Sequence, residues 1–316
     1  MRRPGAPPAA AVPAANLVVA ASRPDDDLLT LGGLAVHQNV RVRVHEPAGL
    51  ASDVLHRLRL NSYDKPFLVE DGEHRAMCFT TDGSIQSEMR IDNPSALVSE
   101  YTHKMMAFLL FRPRPRHVLM IGLGGGSLLK YCRRHLPTTR FTAIEIDANV
   151  IALRSHFQIP PGGSGLCVIH ADGARYVAEL AGSDERADVL LVDAYDRSGI
   201  AQSVAQPEFL ENARRVLGNR GVFVMNLAVE GAECATYLEM IRSVFGEPVI
   251  PVTVGWGGNT VAFAGPALSD RRCLAVAPRR ALRLQECLDL SFSKLPGLMS
   301  EYLRHGQAAE TGSATG

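Results

Sequence analysis

A doubly wound α/β domain, preceded by a smaller antiparallel β-domain, is the fold class this sequence predicts. Three observations predict it. From His117 onward short apolar runs alternate with helical patterns, which builds a parallel sheet with helices on both faces. Upstream, Val40–Arg90 carries period-two patterning and two Asp-Gly pairs, the strongest short hairpin signal. Near the end, Val249–Val254 and Thr260–Ala264 flank a Gly-rich turn too short for a crossover helix, so they pair antiparallel.

In chain order, residues 1–30 are rich in Ala and Pro and read as a disordered leader. Arg2 and Arg3 before an Ala-rich stretch raise the question of a signal peptide. Pro7, Pro8 and Pro13 interrupt that stretch, however, and Leu17–Ala21 is too short for an apolar core. Val40–His45 alternates apolar and basic residues, and Phe67–Arg90 is a meander turning at Asp71-Gly72 and Asp82-Gly83. The β-domain therefore spans 38–92 and the α/β domain 93–304. Leu97, Tyr101, Met105 and Phe108 give helical spacing over Ser95–Leu110. Arg112-Pro113-Arg114-Pro115-Arg116 reads as a stiff solvated connector in preference to a phosphate site. Strands follow at 117–121, 140–145, 166–170, 188–193 and 221–226. Leu282–Leu303 closes the domain with helix, and the small polar residues of 305–316 form a disordered tail.

A chain of 316 residues holds one large domain and a smaller one. Its 33 Lys and Arg balance 33 Asp and Glu, which gives no support to a nucleic-acid or anionic-membrane partner. No apolar run is long enough to span a bilayer. Cys78, Cys132, Cys167, Cys234, Cys273 and Cys287 are scattered without a C-x-x-C pair. That pattern points away from a zinc site or disulfide scaffold and toward a reducing, cytoplasmic setting with no metal.

The chemistry concentrates in His117–Asp147, a buried strand, a glycine turn, a helix and a second strand ending on two acids. Gly122, Gly124 and Gly126 alternate before Ser127, and glycine lets backbone approach a ligand closely. Glu145 ends the next strand, where an acid accepts the two hydroxyls of a ribose. The dinucleotide fingerprint wants Gly or Ala where Ser127 stands. The spacing fits G-x-G-x-G better, the pattern of S-adenosylmethionine-type folds. A five-stranded parallel sheet finished by an antiparallel hairpin agrees, being the methyltransferase variant of the Rossmann-like nucleotide fold.

Acids gather where ligands of such sheets bind, beyond the carboxyl ends of the strands. Glu145 and Asp147 follow the second strand, Asp172 the third, Asp193 and Asp196 the fourth, and Glu230 the fifth. A neutral protein with such a rim suits a cation, either a sulfonium or an alkylammonium. Asp172, before Gly173, reads equally as a helix cap or an adenine contact, and Asp147 as a cap or a ligand group. Asp193 ends the apolar run VLLV, where a carboxylate is costly unless it faces a cavity.

Taken together these residues resemble the spermidine synthase (polyamine aminopropyltransferase) family and its spermidine-synthase-like branch. The similarity runs from about Tyr63 to Ala264. It includes DGSIQS, THKM for Y-H-E-M, the glycine turn, E-I-D, A-D-G, and D-A-Y-D for D-S-S-D. The resemblance implies a commonly dimeric enzyme that moves an aminopropyl group from decarboxylated S-adenosylmethionine to an amine. It assigns Glu145 to the ribose, Asp172-Gly173 to the adenine, Asp193 as base and Asp196 as amine anchor. His103 and Gln86 would line the substrate mouth, and Trp256 part of an apolar wall.

Four positions depart from the pattern. Gly125 replaces the aspartate that holds the donor's aminopropyl ammonium, and Lys104 replaces the glutamate after the histidine. Asp64 stands where a glutamine touches the nucleoside, and Arg197 replaces a proline. Two rivals follow, a methyltransferase using intact S-adenosylmethionine and a non-catalytic nucleoside- or polyamine-binding homologue.

Overall fold

The structure is a computed structural model describing residues 16–21, 29–31, 34–36, 40–46, 51–163, 165–246, 248–255 and 258–288, with single positions at 290, 292, 295 and 297. The expected tail at 305–316 and Trp256 lie outside the described residues.

An antiparallel sheet comes first, with strands β1 (Asn16–Ala21), β2 (Arg41–His45), β3 (Phe67–Glu70), β4 (His74–Cys78) and β5 (Ile85–Arg90) in that order across it; between β1 and β2 the chain forms a separate two-stranded hairpin, Leu29–Leu31 against Leu34–Val36. Two elements correct the sequence reading. β1 lies within the supposedly disordered leader and pairs with β2, Leu17 opposite Val44. Its apolar, β-branched run was readable, but the partner strand that stabilises it is distant in sequence. Helix α1 (Ala51–Arg59) interrupts what was read as strand alone. Val54 and Leu58, four residues apart, lie on one helical face and pack on Val42, Val44, Tyr63 and Phe67.

Between the domains, α2 (Glu100–Met105) runs into a 3₁₀ turn at Met106–Leu110. The helix starts five residues later than its spacing suggested. Asn93–Ala96 forms a turn instead, Ala96 N donating to the Asn93 carbonyl at 2.9 Å, and Ser99 is extended with ψ of 132°.

The second sheet holds β6 (His117–Ile121), β7 (Arg140–Glu145), β8 (Leu166–His170), β9 (Val189–Val192), β10 (Val222–Leu227), β11 (Ile250–Thr253) and β12 (Thr260–Ala264). Their order across the sheet is β8-β7-β6-β9-β10-β12-β11. β6 to β10 are parallel, and β12 is antiparallel to both β10 and β11. The chain moves outward from β6 through β8, then crosses back to β9. That reversal opens a crevice at the carboxyl ends of β6 and β9, the place where such sheets bind ligands. Helices α3 (Ser127–His135), α4 (Ala148–Ala152), α5 (Gly173–Ala181), α6 (Pro207–Leu217), α7 (Gly231–Phe245) and α8 (Arg271–Leu288) complete the domain. Among the described residues no helix is long and apolar enough to cross a membrane.

The arginine connector is a clasp as well as a linker. Arg112 pairs with Asp188, and Arg116 N and His117 N donate to its Oδ2 at 2.6 and 3.3 Å. Burial works to raise the Asp188 carboxyl, but these amides and the Arg112 guanidinium outweigh it and hold the group below its ordinary range. Arg116 itself stays in solvent, 92% exposed.

Candidate active site

A cavity of about 1110 Å³ lies over the carboxyl ends of β6, β7 and β9 and is roofed by β5 of the first domain. Its volume suits a nucleoside together with a second small molecule. The glycine turn forms the floor. Gly122 has φ of 91°, and a Cβ there would run into the Asp193 carbonyl, so only glycine lets the ends of β6 and β9 approach. Gly124 also lines the hollow, whereas Gly126 supports it from behind as the left-handed residue opening α3. A Cβ at Gly126 would meet Ile159 at 2.7 Å.

Glu145 is buried at the end of β7, its two oxygens accepting from Leu123 N and Asp147 N, each at 2.9 Å. These bonds fix the carboxylate rigidly at the cavity edge. Asp147 caps α4, accepting from Asn149 N at 2.7 Å, and Asp172 caps α5, accepting from Arg175 N at 2.8 Å. Both still line the cavity, and one capping bond leaves each a second oxygen for a ligand. The cap and ligand readings are therefore compatible. Gly173 lies against the Ile121 side chain, a close strand–helix contact that a larger residue would break.

Asp193 meets the cavity at the end of β9. Its Oδ2 accepts from the Tyr101 hydroxyl at 3.0 Å and its Oδ1 from Asn226 Nδ2 at 2.9 Å. Burial pushes its carboxyl above the ordinary aspartate value, while these two donors pull it back. Burial, and then the neighbouring Asp193 charge, keeps the Tyr101 phenol protonated. The outcome is an oriented carboxyl group at the cavity wall whose proton affinity is raised.

Asp196 lies on a two-residue hairpin, Tyr195–Asp196 against Gly199–Ile200, and accepts from Ser198 N at 2.7 Å. It is exposed at the cavity mouth, and Gln86 faces the same space from β5. His103 does not join them. Its Nε2 is 2.9 Å from the Leu97 carbonyl and the ring is absent from the cavity lining, because α2 turns Glu100 and Tyr101 toward the hollow instead. Glu230 is likewise absent from the lining and packs against Gly258 of the terminal turn.

The departures acquire physical reasons. A Cβ at Gly125 would meet Ser87 Oγ at 2.6 Å and the Phe157 ring at 2.8 Å, so no acid side chain fits there. Ser87 accepts from Gly125 N at 2.9 Å, and Ser127 donates to the Glu88 carbonyl at 3.2 Å, pinning the glycine turn to β5. Lys104 lies off the cavity and pairs with Glu100 at 3.3 Å, which leaves an acid rather than the lysine facing the hollow. Asp64 lines the cavity beside Arg57, and Arg197 reaches across to the Tyr63 carbonyl at 3.0 Å. Tyr101, Asn226 and Glu100 are the site residues that sequence reasoning missed. Only Glu100 left a signal, as an acid one helical turn before Lys104.

A parallel sheet closed by an antiparallel hairpin, with a glycine turn and a ribose-type acid under one cavity, defines a methyltransferase-fold protein with a nucleoside site. A family model described as the spermine/spermidine synthase domain matches residues 99–244. The polyamine aminopropyltransferase of Chromobacterium violaceum is 34% identical over 229 residues, covering 71% of this chain and 85% of that protein. The chain belongs to the spermine/spermidine synthase family. A probable spermidine synthase from Corynebacterium glutamicum shares the fold at 17% identity, with a TM-score of 0.56 over 70% of this chain and 86% of that one. Human methyltransferase-like protein 13, solved with SAH, shares it at 22% identity, with a TM-score of 0.54 over 60% and 93%.

Proposed function

We propose that the protein transfers an aminopropyl group from decarboxylated S-adenosylmethionine to an amine acceptor. The observation that carries this reading is the Asp193 carboxylate, held by Tyr101 and Asn226 at the floor of a cavity that Glu145 also lines. Glu145 would hold the ribose, and Asp172 with Gly173 the adenine edge. Asp147, beside Glu145, would add charge complementary to the sulfonium.

The acceptor nitrogen attacks the aminopropyl carbon bonded to sulfur. The C–N bond forms as the C–S bond breaks, and its electron pair returns to sulfur, releasing neutral methylthioadenosine. The nitrogen attacks only when unprotonated, so Asp193 takes its proton. Such base catalysis contributes about 10²–10⁴-fold, and in-line alignment contributes more. A sulfonium is already a good leaving group, so the step calls on no metal. Asp196 and Glu100 would hold the acceptor's distal ammonium, with Gln86 at the mouth. Glu100 would take over the attraction for amines that a glutamate in place of Lys104 would supply. The same reading gives a cytoplasmic homodimer that acts on small molecules rather than nucleic acid, and six unpaired cysteines suit that compartment.

Incubating the protein with decarboxylated or intact S-adenosylmethionine and diamines of increasing length tests this. Methylthioadenosine should appear only with the decarboxylated donor and only when an amine is present. Methylated amine from the intact donor would overturn the reading in favour of a methyltransferase. No product with either donor would leave a binding protein.

A further inference from the structure

Asn226, next to last in β10, is almost wholly buried, and its amide faces two ways. Nδ2 donates to Asp193 Oδ1 at 2.9 Å, and Oδ1 accepts from Asn259 Nδ2 at 2.9 Å. An amide has a donor end and an acceptor end, and half a turn exchanges them. Turned over, Asn226 would present its oxygen to a carboxylate and its amino group to another amino group, both repulsive. Asn259, on the turn side of β12, thus makes one orientation of Asn226 the stable one.

We propose that Asn259 is a positioning residue for the transfer step: by occupying the Asn226 oxygen it holds Asn226 as an obligate donor to Asp193. The inference rests on the base role given to Asp193 above. Asp193 Oδ1 then always receives a hydrogen bond and never gives one. When the carboxylate takes the amine's proton, the new O–H cannot be donated to Asn226. The proton stays on the cavity side, from which it leaves once product is released. Tyr101 from α2 supplies the second donor, while Tyr195 from the following loop is engaged by the Asn226 carbonyl and Ala228 N, each at 2.7 Å. The charged groups sharing the cavity with Asp193 are Glu100 from α2, Glu145 and Asp147 after β7, Asp172 before α5, Asp196 and Arg197 from the hairpin, and Asp64 from the first domain. Burial raises the proton affinity of Asp193, and the hydrogen bonds from Asn226 and Tyr101 counter that effect directly.

The experiment is the pH profile of kcat/KM for aminopropyl transfer. In Asn259→Ala the acid limb should move up by a fraction of a pH unit, because Asn226 can still donate to Asp193 but is no longer held to it; about one unit, the worth of a hydrogen bond to a charged group, is the ceiling. Asn259→Asp should move it further, because an acceptor at 259 favours the inverted Asn226 amide and adds charge. Methylthioadenosine affinity should stay at the wild-type value in Asn259→Ala. If the altered turn prevents folding, Asn226→Leu removes the donor without touching the turn and should shift the limb at least as far as Asn259→Ala. An unmoved limb in active variants would overturn the relay alone. A wild-type protein that transfers nothing would overturn the base role, and this inference with it.

Discussion

At Asp193, the proposed base role and stability pull in opposite directions. Burial raises the carboxyl's proton affinity and two hydrogen bonds only partly offset it, so the folded protein binds this proton more tightly than the unfolded chain does. An acid of that kind favours the fold below its unfolded value, and the advantage is lost as pH rises through the raised folded value. Asp193→Asn removes the cost of the buried charge. It should melt higher than wild type at pH 8, by about 2–4 °C for a gain of roughly 1 kcal/mol. The difference should shrink as pH falls toward 4, and calorimetry at the two pH values checks it. That the carboxylate closing the apolar run VLLV faces a cavity was legible, because a packed core would not tolerate it. Its donors were not legible. Tyr101 and Asn226 lie 92 and 33 residues away in sequence, and only the fold brings them to it.

Among the elements, the strands of the second sheet were readable almost to the residue, because continuous apolar runs bounded by Gly and charge leave few alternatives. β1 and α1 were not, since each depends on packing against β2 or its neighbours rather than on its own pattern. The glycine turn shows the same limit. Its sequence disclosed a lost acid at position 125 but not the reason, which is that β5 and Phe157 fill the space. Gly125→Asp should therefore fail to restore an ammonium site. It should destabilise the protein by about 1–3 kcal/mol in urea denaturation, through overpacking against Ser87 and Phe157, and weaken nucleoside binding as the turn shifts. A stable variant with a lowered donor KM would show that the turn has room for the acid.

Over the whole molecule, the two sheets meet around one cavity, through a shared apolar core that includes Leu68, Met77 and Met89 and through a few polar links. Ser87 and Ser127 tie β5 to the glycine turn, Arg75 reaches the His156 carbonyl, and Arg197 reaches Tyr63. None of these cross-domain bonds has a sequence signature, although the acid-lined rim they enclose does. Of the six rim acids expected, five line the cavity and Glu230 turns aside to the terminal hairpin. A neutral chain thus concentrates negative charge around one cavity, the place where the proposed reading brings a sulfonium and an alkylammonium together with Asp193 as the proton acceptor. Comparing Asp193→Asn with wild type in single-turnover transfer and in methylthioadenosine titration tests that convergence most directly. Transfer should fall by at least about 10²-fold while methylthioadenosine binds with nearly unchanged affinity. Equal loss of binding and turnover would make Asp193 a structural residue and contradict the account.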